Sequence, residues 1–190
     1  MTMQQLIEVE RKRQLGDAEP VAEQLRELGY HADAAAVEVD TYYSRPDIDY
    51  METVECLRVR ESSGRAEITY KPPSTTSTHS GSGVISKPET NIAIADDQAS
   101  AAQQLLDAIG MIELARVEKS RVTYRRPDSN HVVSIDTVTG AGVFIEVEVM
   151  SADIEAATVT LEQVEAELGL SACPTVELPY RDLVMQAAGR

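Results

Sequence analysis

Tryptophan is absent from these 190 residues, phenylalanine occurs once, and aromatic residues make up 4% of the chain. A core built on large rings is thereby excluded, and aliphatic side chains must supply most of the burial. Cysteine is nearly absent too. Cys56 and Cys173 are too few for a disulfide framework and match no metal spacing. Cys56 follows Val54-Glu55 in an apolar stretch and reads as core rather than nucleophile. The three histidines, His31, His79 and His131, fall at a helix end, in a loop and at a turn, and are expected on the surface. No apolar run approaches the ~20 residues of a membrane-spanning helix. Met1-Thr2-Met3-Gln4-Gln5 lacks the basic and apolar regions of a signal peptide, so a cytoplasmic location without membrane attachment is the default expectation.

Positive charge is scarce as well. Seventeen basic residues face 32 acidic ones, for a formal net charge of −15. A broad basic surface for nucleic acid is therefore not expected. An anionic ligand remains compatible if the basic residues are gathered in a cleft that focuses their field. Of those basic residues, 13 are arginine and four are lysine. An acidic, arginine-biased chain fits a protein from a high-salt source, and equally one from a GC-rich genome.

What is present is a single domain's worth of regular pattern, taken as residues 1–190, long enough to bury a substantial core. Apolar spacing and stop signals predict helices over 17–28, 96–109 and 151–168, closed by Gly29, Gly110 and Gly169, with Ser151 as N-cap of the third. A short helix follows Pro179. Strands are predicted over 4–13, 36–44, 54–61, 65–71, 84–94, 115–125, 131–139 and 143–150. Ser62-Ser63-Gly64 and Arg126-Pro127-Asp128-Ser129-Asn130 mark hairpin turns, and the Ser/Thr/Gly-rich stretch 72–83 is a flexible loop.

The strands carry charge where an ordinary strand carries core. Residues i and i+2 share a face, so Glu8, Glu10 and Lys12 point one way while Ile7, Val9 and Arg11 point the other. Arg58 and Arg60, Lys119 and Arg121, and Glu146 and Glu148 alternate in the same manner. One such strand is a solvated face. A whole set closes into a barrel with a polar lumen and an apolar outer wall covered by helices. The lumen would then hold the acids Glu8, Glu10, Glu89, Asp136, Glu146 and Glu148. Its bases would be Lys12, Arg58, Arg60, Lys71, Lys87, Lys119 and Arg121. Clustered carboxylates repel unless a cation sits between them, and an all-oxygen ligand set favours Mg²⁺ or Mn²⁺. Clustered cations call for phosphate, which arginine grips bidentately and lysine meets as a point charge.

These residues resemble the CYTH family of triphosphate tunnel enzymes. Glu8-Val9-Glu10-Arg11-Lys12 is similar to its signature strand, and Asp40-Thr41-Tyr42-Tyr43 to its second. Leu57-Arg58-Val59-Arg60, Thr69-Tyr70-Lys71-Pro72, Lys119-Ser120-Arg121, Asp136, Gly142–Glu148 and Tyr180-Arg181-Asp182-Leu183 follow in order. The resemblance implies an α+β fold, an eight-stranded antiparallel closed tunnel barrel surrounded by helices. It implies metal on Glu8, Glu10, Glu146 and Glu148 with Asp136 assisting, and phosphate along Lys12, Arg58, Arg60, Lys71, Lys119 and Arg121. The fifth strand departs from the family pattern: Lys87, Glu89 and Asn91 stand where an arginine and two glutamates are usual. Family members include class IV adenylyl cyclases, which convert ATP to cyclic AMP and pyrophosphate, and hydrolases of tripolyphosphate or organic triphosphates such as thiamine triphosphate. A cyclase-like enzyme is the leading expectation, with Glu10, Glu148 and Lys12 as catalytic groups and Lys12 assisting deprotonation of the nucleophile. A triphosphatase, and a polyphosphate- or nucleotide-binding module without turnover, are the alternatives. Tyr42, Tyr43 and Phe144 are expected to pack the wall. Monomer and homodimer both stay open.

Overall fold

The structure is a computed structural model that describes residues 6–76, 78–80 and 82–189. Its strands form one antiparallel sheet: β1 (Ile7–Leu15), β2 (His31–Ala32), β3 (Ala36–Ser44), β4 (Cys56–Ser62), β5 (Arg65–Lys71), β6 (Ile85–Lys87), β7 (Thr90–Ile94), β8 (Ile112–Arg125), β9 (His131–Val138) and β10 (Gly142–Ser151). The helices are α1 (Glu19–Glu27), α2 (Ala99–Ala108), α3 (Ile154–Glu167) and α4 (Tyr180–Ala187). None is long and apolar enough to cross a membrane.

The sheet order is β6-β1-β10-β9-β8-β3-β4-β5-β7, with β2 paired to β8. Its first and last strands, β6 and β7, are consecutive in the chain and separated by Pro88-Glu89. The ends of the sheet therefore meet, and the sheet curls around a lumen. Lys71 of β5 reaches Glu8 of β1 at 2.8 Å across that seam. Eight expected strands become ten among the described residues, for two reasons. Pro88 lacks the N–H that a continuous ladder needs, so the expected strand 84–94 breaks in two. The two-residue β2 is too short to leave a periodic signal. The expected start of the first strand at residues 4–5 lies outside the described residues, as do Ser77 and Gly81 of the 72–83 loop.

Alternation along the strands sorts the two faces. Outside, Val9, Ile145, Val147 and Val149 pack with Ala157, Leu161, Val164 and Leu168 at α3. A second outer cluster joins Tyr43, Val59 and Ala66 to Ala99, Ala102 and Leu106 of α2. Inside, Val117, Val138 and Phe144 share the parity of Lys119, Asp136 and Glu146. They pack with Tyr42, Tyr180, Leu183 and Val184, so α4 closes one end of the lumen with apolar side chains. The tyrosines and Phe144 thus line walls, as expected. Asp153, not Ser151, caps α3: its side chain accepts the Ala156 N–H at 3.0 Å, while Ser151 still belongs to β10.

One charged cluster lies on the outer face. Arg11 is 4% exposed beneath α3 and donates to Glu165 at 2.6 Å. Arg13 donates to both oxygens of Glu165 at 2.8 Å and to the Cys173 carbonyl. Removing one partner of a buried ion pair strands the other in low dielectric, at about 3–5 kcal/mol. Glu165→Ala is accordingly expected to destabilise the protein by about that amount, read from urea denaturation. A midpoint equal to wild type would show that the pair is not buried in solution.

The histidines correct a surface expectation. His31 is exposed, but His131 is 6% exposed and hydrogen-bonds the Tyr30 hydroxyl at 2.6 Å through Nε2. Burial, with Arg126 adding, holds the His131 pKa below its ordinary value. A histidine depressed in the fold contributes stability that is complete above its unfolded pKa, ~6.5, and is lost as pH falls through the folded one. Unfolding free energy should therefore drop on acidification below about pH 6.5, with a shallower slope in His131→Phe. Identical pH slopes for the two proteins would refute this.

Candidate active site

The inward faces of β1, β3, β4, β5, β6, β8 and β10 line a cavity of about 250 Å³. All seven expected cations border it. So do Glu8, Glu10, Glu89, Glu146 and Glu148.

Two buried aspartates organise the cations. Asp40, fully buried on β3, accepts the Arg60 fork at 2.6 and 2.7 Å, and Arg58 lies 3.8 Å from it. Burial alone would raise its pKa, but Arg58 and Arg60 outweigh that and hold it well below the carboxylate range. Asp136, equally buried on β9, accepts the Arg121 fork at 2.7 and 2.5 Å, Lys119 at 3.3 Å and the Tyr180 hydroxyl at 2.8 Å. Asp136 was expected to assist with metal. It stands outside the cavity lining, and both its oxygens are committed to these donors.

Three carboxylates converge. Side-chain oxygens of Glu10, Glu146 and Glu148 lie within 4.8 Å of one another. The register produces this meeting, since Glu10 pairs with Glu148 and Lys12 with Glu146 across β1 and β10. Burial pushes Glu148 up to about 7; Arg121 pulls against it, and repulsion from Glu146 and Glu10 adds to the rise. Glu146 goes the other way: despite burial, Arg121, Lys12 and Lys119 hold it below the ordinary range. An all-oxygen trio with one member short of compensating charge fits a hard divalent cation. Glu8 and Glu89, expected as further ligands, are instead bound to Lys71 at the seam. Asn91 is exposed on β7 and donates to Glu89 at 2.9 Å, away from the trio.

The remaining cations differ in how far they are engaged. Lys12 lies 3.6 Å from Glu146 and 4.3 Å from the Tyr180 ring centroid, and Lys119 approaches the same ring at 5.0 Å. Lys87 donates to the Val54 carbonyl at 2.8 Å. Val54 itself holds φ of 53°, a left-handed conformation costly for a β-branched residue. Burial, with Lys71 adding, pulls Lys87 down to about 8. Among the described residues Arg58 has no partner closer than Asp40 at 3.8 Å, so its donors are the least committed in the lumen. Burial raises the Cys56 thiol pKa, which disfavours a thiolate and agrees with a packing role.

Residue patterns alone missed Asp40, Tyr180, Glu67, Glu177 and His79, all at or behind this cavity. Asp40 and Glu38 repeat the i, i+2 rule on β3 and could have been found by it. Glu177 and His79 sit on irregular segments, where no period exists.

The sequence pattern of the CYTH domain matches residues 6–177. This chain belongs to the CYTH family. A Methanocaldococcus jannaschii protein named as a candidate adenylate cyclase is 32% identical over 158 residues, covering 83% of this chain and 85% of its own. The PH1819 protein of Pyrococcus horikoshii superposes with a TM-score of 0.81 at 26% identity, over 94% of this chain and 98% of that one. A Vibrio parahaemolyticus protein, also named as a candidate adenylate cyclase, shares the fold at a TM-score of 0.76 and 18% identity, over 95% and 99% of the two chains.

Charge balance in the lumen yields a prediction. Seven carboxylates border the cavity beside its seven cations, and Asp40 and Asp136 stand behind them. A polyanion entering this lining meets almost as much repulsion as attraction. Inorganic tripolyphosphate is expected to bind at least about tenfold more tightly with Mg²⁺ than with EDTA, a gain of about 1.4 kcal/mol, by isothermal calorimetry. Equal affinity in both would contradict the balance described.

Proposed function

We propose that the protein is a metal-dependent enzyme that cleaves the phosphoanhydride chain of a triphosphate held in the lumen. The observation that carries this is the Glu10–Glu146–Glu148 trio on one wall of a cavity bordered by Arg58, Arg60, Lys119 and Arg121. Glu10, Glu146 and Glu148 would hold Mg²⁺ or Mn²⁺, and a cation bound there supplies charge neutralisation and polarisation of a phosphoryl oxygen. Arg58 offers its uncommitted guanidinium to the phosphates. Arg60 and Arg121 are fixed by their aspartates, so their orientation is set before substrate arrives. Lys12 and Lys119 add point charges at the Tyr180 end, where charge on a departing or central phosphate would gather.

The first reading of the reaction is ATP cyclisation with release of pyrophosphate, supported by the name of the Methanocaldococcus relative. Hydrolysis of the triphosphate is the second, and one feature of the lining favours it. Among the described residues, the tyrosine rings bordering the cavity are Tyr42 and Tyr180. Tyr180 donates to Asp136 and carries two ammonium groups against its ring, and Tyr42 is buried against the apolar end. Neither ring offers a clear face for a base. Recognition in this lumen rests on phosphate.

The protein should be incubated with ATP, tripolyphosphate and thiamine triphosphate, with Mg²⁺ or Mn²⁺ at high salt. Cyclic AMP with pyrophosphate identifies the cyclase, and orthophosphate alone the triphosphatase. Binding without products marks a module. Glu10→Gln and Glu148→Gln are each expected to reduce turnover to background, and wild-type rates in both would overturn the proposal.

A further inference from the structure

The segment between β5 and β6 brings a residue into the lumen that its sequence placed on the surface. Residues 78–80 fold back along β6: the Ser86 N–H donates to the Thr78 carbonyl at 2.9 Å, and His79 forms an antiparallel bridge with Ile85. Ile85 is opposite Glu10, and Glu10 is opposite Glu148. Directly opposed residues of antiparallel strands present their side chains to the same face. Glu148, Glu10, Ile85 and His79 therefore form one row across the sheet, and His79 borders the same cavity as the carboxylate trio. Two strand spacings of ~4.8 Å separate its backbone from that of Glu10. Gly83 anchors the returning chain: its φ is +74°, and a Cβ there would meet Thr175 Cγ2 at 2.5 Å.

Hydrogen bonding defines the ring. Thr78 Oγ1 donates to the Thr75 carbonyl at 2.9 Å and accepts the Thr75 N–H at 2.8 Å. With the hydroxyl proton used there, the 3.2 Å contact between Thr78 Oγ1 and His79 Nδ1 is made by the ring's N–H. Nε2 is then a lone pair, and it has no partner among the described residues. The charged groups bordering this side of the cavity are Glu8 and Glu10 from β1, Lys71 from β5, Lys87 from β6, Glu89, and Glu177 from the segment leading to α4.

We propose that His79 is the general base of the lumen. Its Nε2 takes the proton of the attacking hydroxyl, from water or a ribose, as the oxygen's electron pair forms the new bond to phosphorus. The anhydride P–O bond breaks, and its electron pair leaves on the departing phosphate or pyrophosphate. The imidazolium then returns its proton to that leaving group or to solvent. The assignment rests on the lumen being a site of triphosphate chemistry.

The test compares wild type, His79→Gln and His79→Ala, each full length with Mg²⁺, on ATP and tripolyphosphate between about pH 5.5 and 8.5. A positioned base contributes about 10²–10⁴-fold, so kcat should fall at least about 100-fold in both variants. KM should change little. Calorimetric binding of Mg²⁺-tripolyphosphate should survive in both variants, showing that the lumen is intact. Wild-type kcat in His79→Gln at every pH would overturn the base assignment while leaving the lumen chemistry standing. A wild-type protein that binds tripolyphosphate but turns over no triphosphate would overturn both.

Discussion

Paired charge inside the barrel is the constraint on which the rest of the structure depends. Asp40 and Asp136 are fully buried, and each is gripped by an arginine fork from a neighbouring strand. An isolated buried carboxylate would cost several kcal/mol, on the order of what a small domain has to spare. The forks make burial tolerable and fix each guanidinium in one orientation. The partners come from ladder register: Asp40 faces Arg60 and Asp136 faces Arg121. A one-residue slip of either ladder would turn the charges outward and bring their apolar neighbours in. The lumen and the sheet register specify one another.

That pairing also limits what the cations can do unaided. Arg60 and Arg121 each commit the fork of Nε and one terminal nitrogen to aspartate, Lys71 is held by Glu8 and Glu89, and Lys87 by a carbonyl. Arg58 and Lys12 are less committed. The lining is thus an ordered lattice of alternating charge rather than a bare cationic sleeve. Within it, Glu148 is the imbalance: burial and its neighbours Glu146 and Glu10 push it up to about 7. A carboxylate that resists ionisation beside two others marks where added positive charge would be most stabilising. The same spot touches Arg121, the residue that links the trio to Asp136.

Much of this was legible in the sequence because period-two charge has few interpretations. Glu8/Glu10/Lys12, Arg58/Arg60, Lys119/Arg121 and Glu146/Glu148 all face the lumen from the strands expected of them. The helices α1, α2 and α3 fell where apolar spacing and terminal glycines put them. What could not be read was pairing. Alternation tells which face a carboxylate takes, but not whether its neighbour is a guanidinium or another carboxylate. Asp136 and Glu146 looked alike in sequence. In the fold Asp136 meets three donors at the buried floor, while Glu146 joins a trio. Arg11 and Glu165 were illegible for the same reason, since they are 154 residues apart and on different element types. His131 and His79 were misplaced because turns and loops carry no face-assigning period. A long-range contact buries the one against Tyr30, and a fold-back onto β6 turns the other toward the cavity.

The fifth strand shows how one backbone constraint redistributes function. The family pattern places a cation and two acids along one continuous strand, but Pro88 ends the ladder to β1 after Lys87. Glu89 then falls in the gap and Asn91 on β7, which pairs with β5 instead. The break lets the two ends of the sheet approach without hydrogen bonds between β6 and β7 among the described residues, so closure is left to side chains. Lys71 supplies it by bridging Glu8 and Glu89 across the seam. Those two carboxylates are engaged in closure, while the converging trio comes from strands β1 and β10. Both of those strands are anchored on their outer faces by α3, through the Val9–Leu161 cluster and the Arg11–Glu165 pair. The carboxylate trio therefore sits on the two strands that α3 braces, and the seam beside them is held by the ion pairs of Lys71.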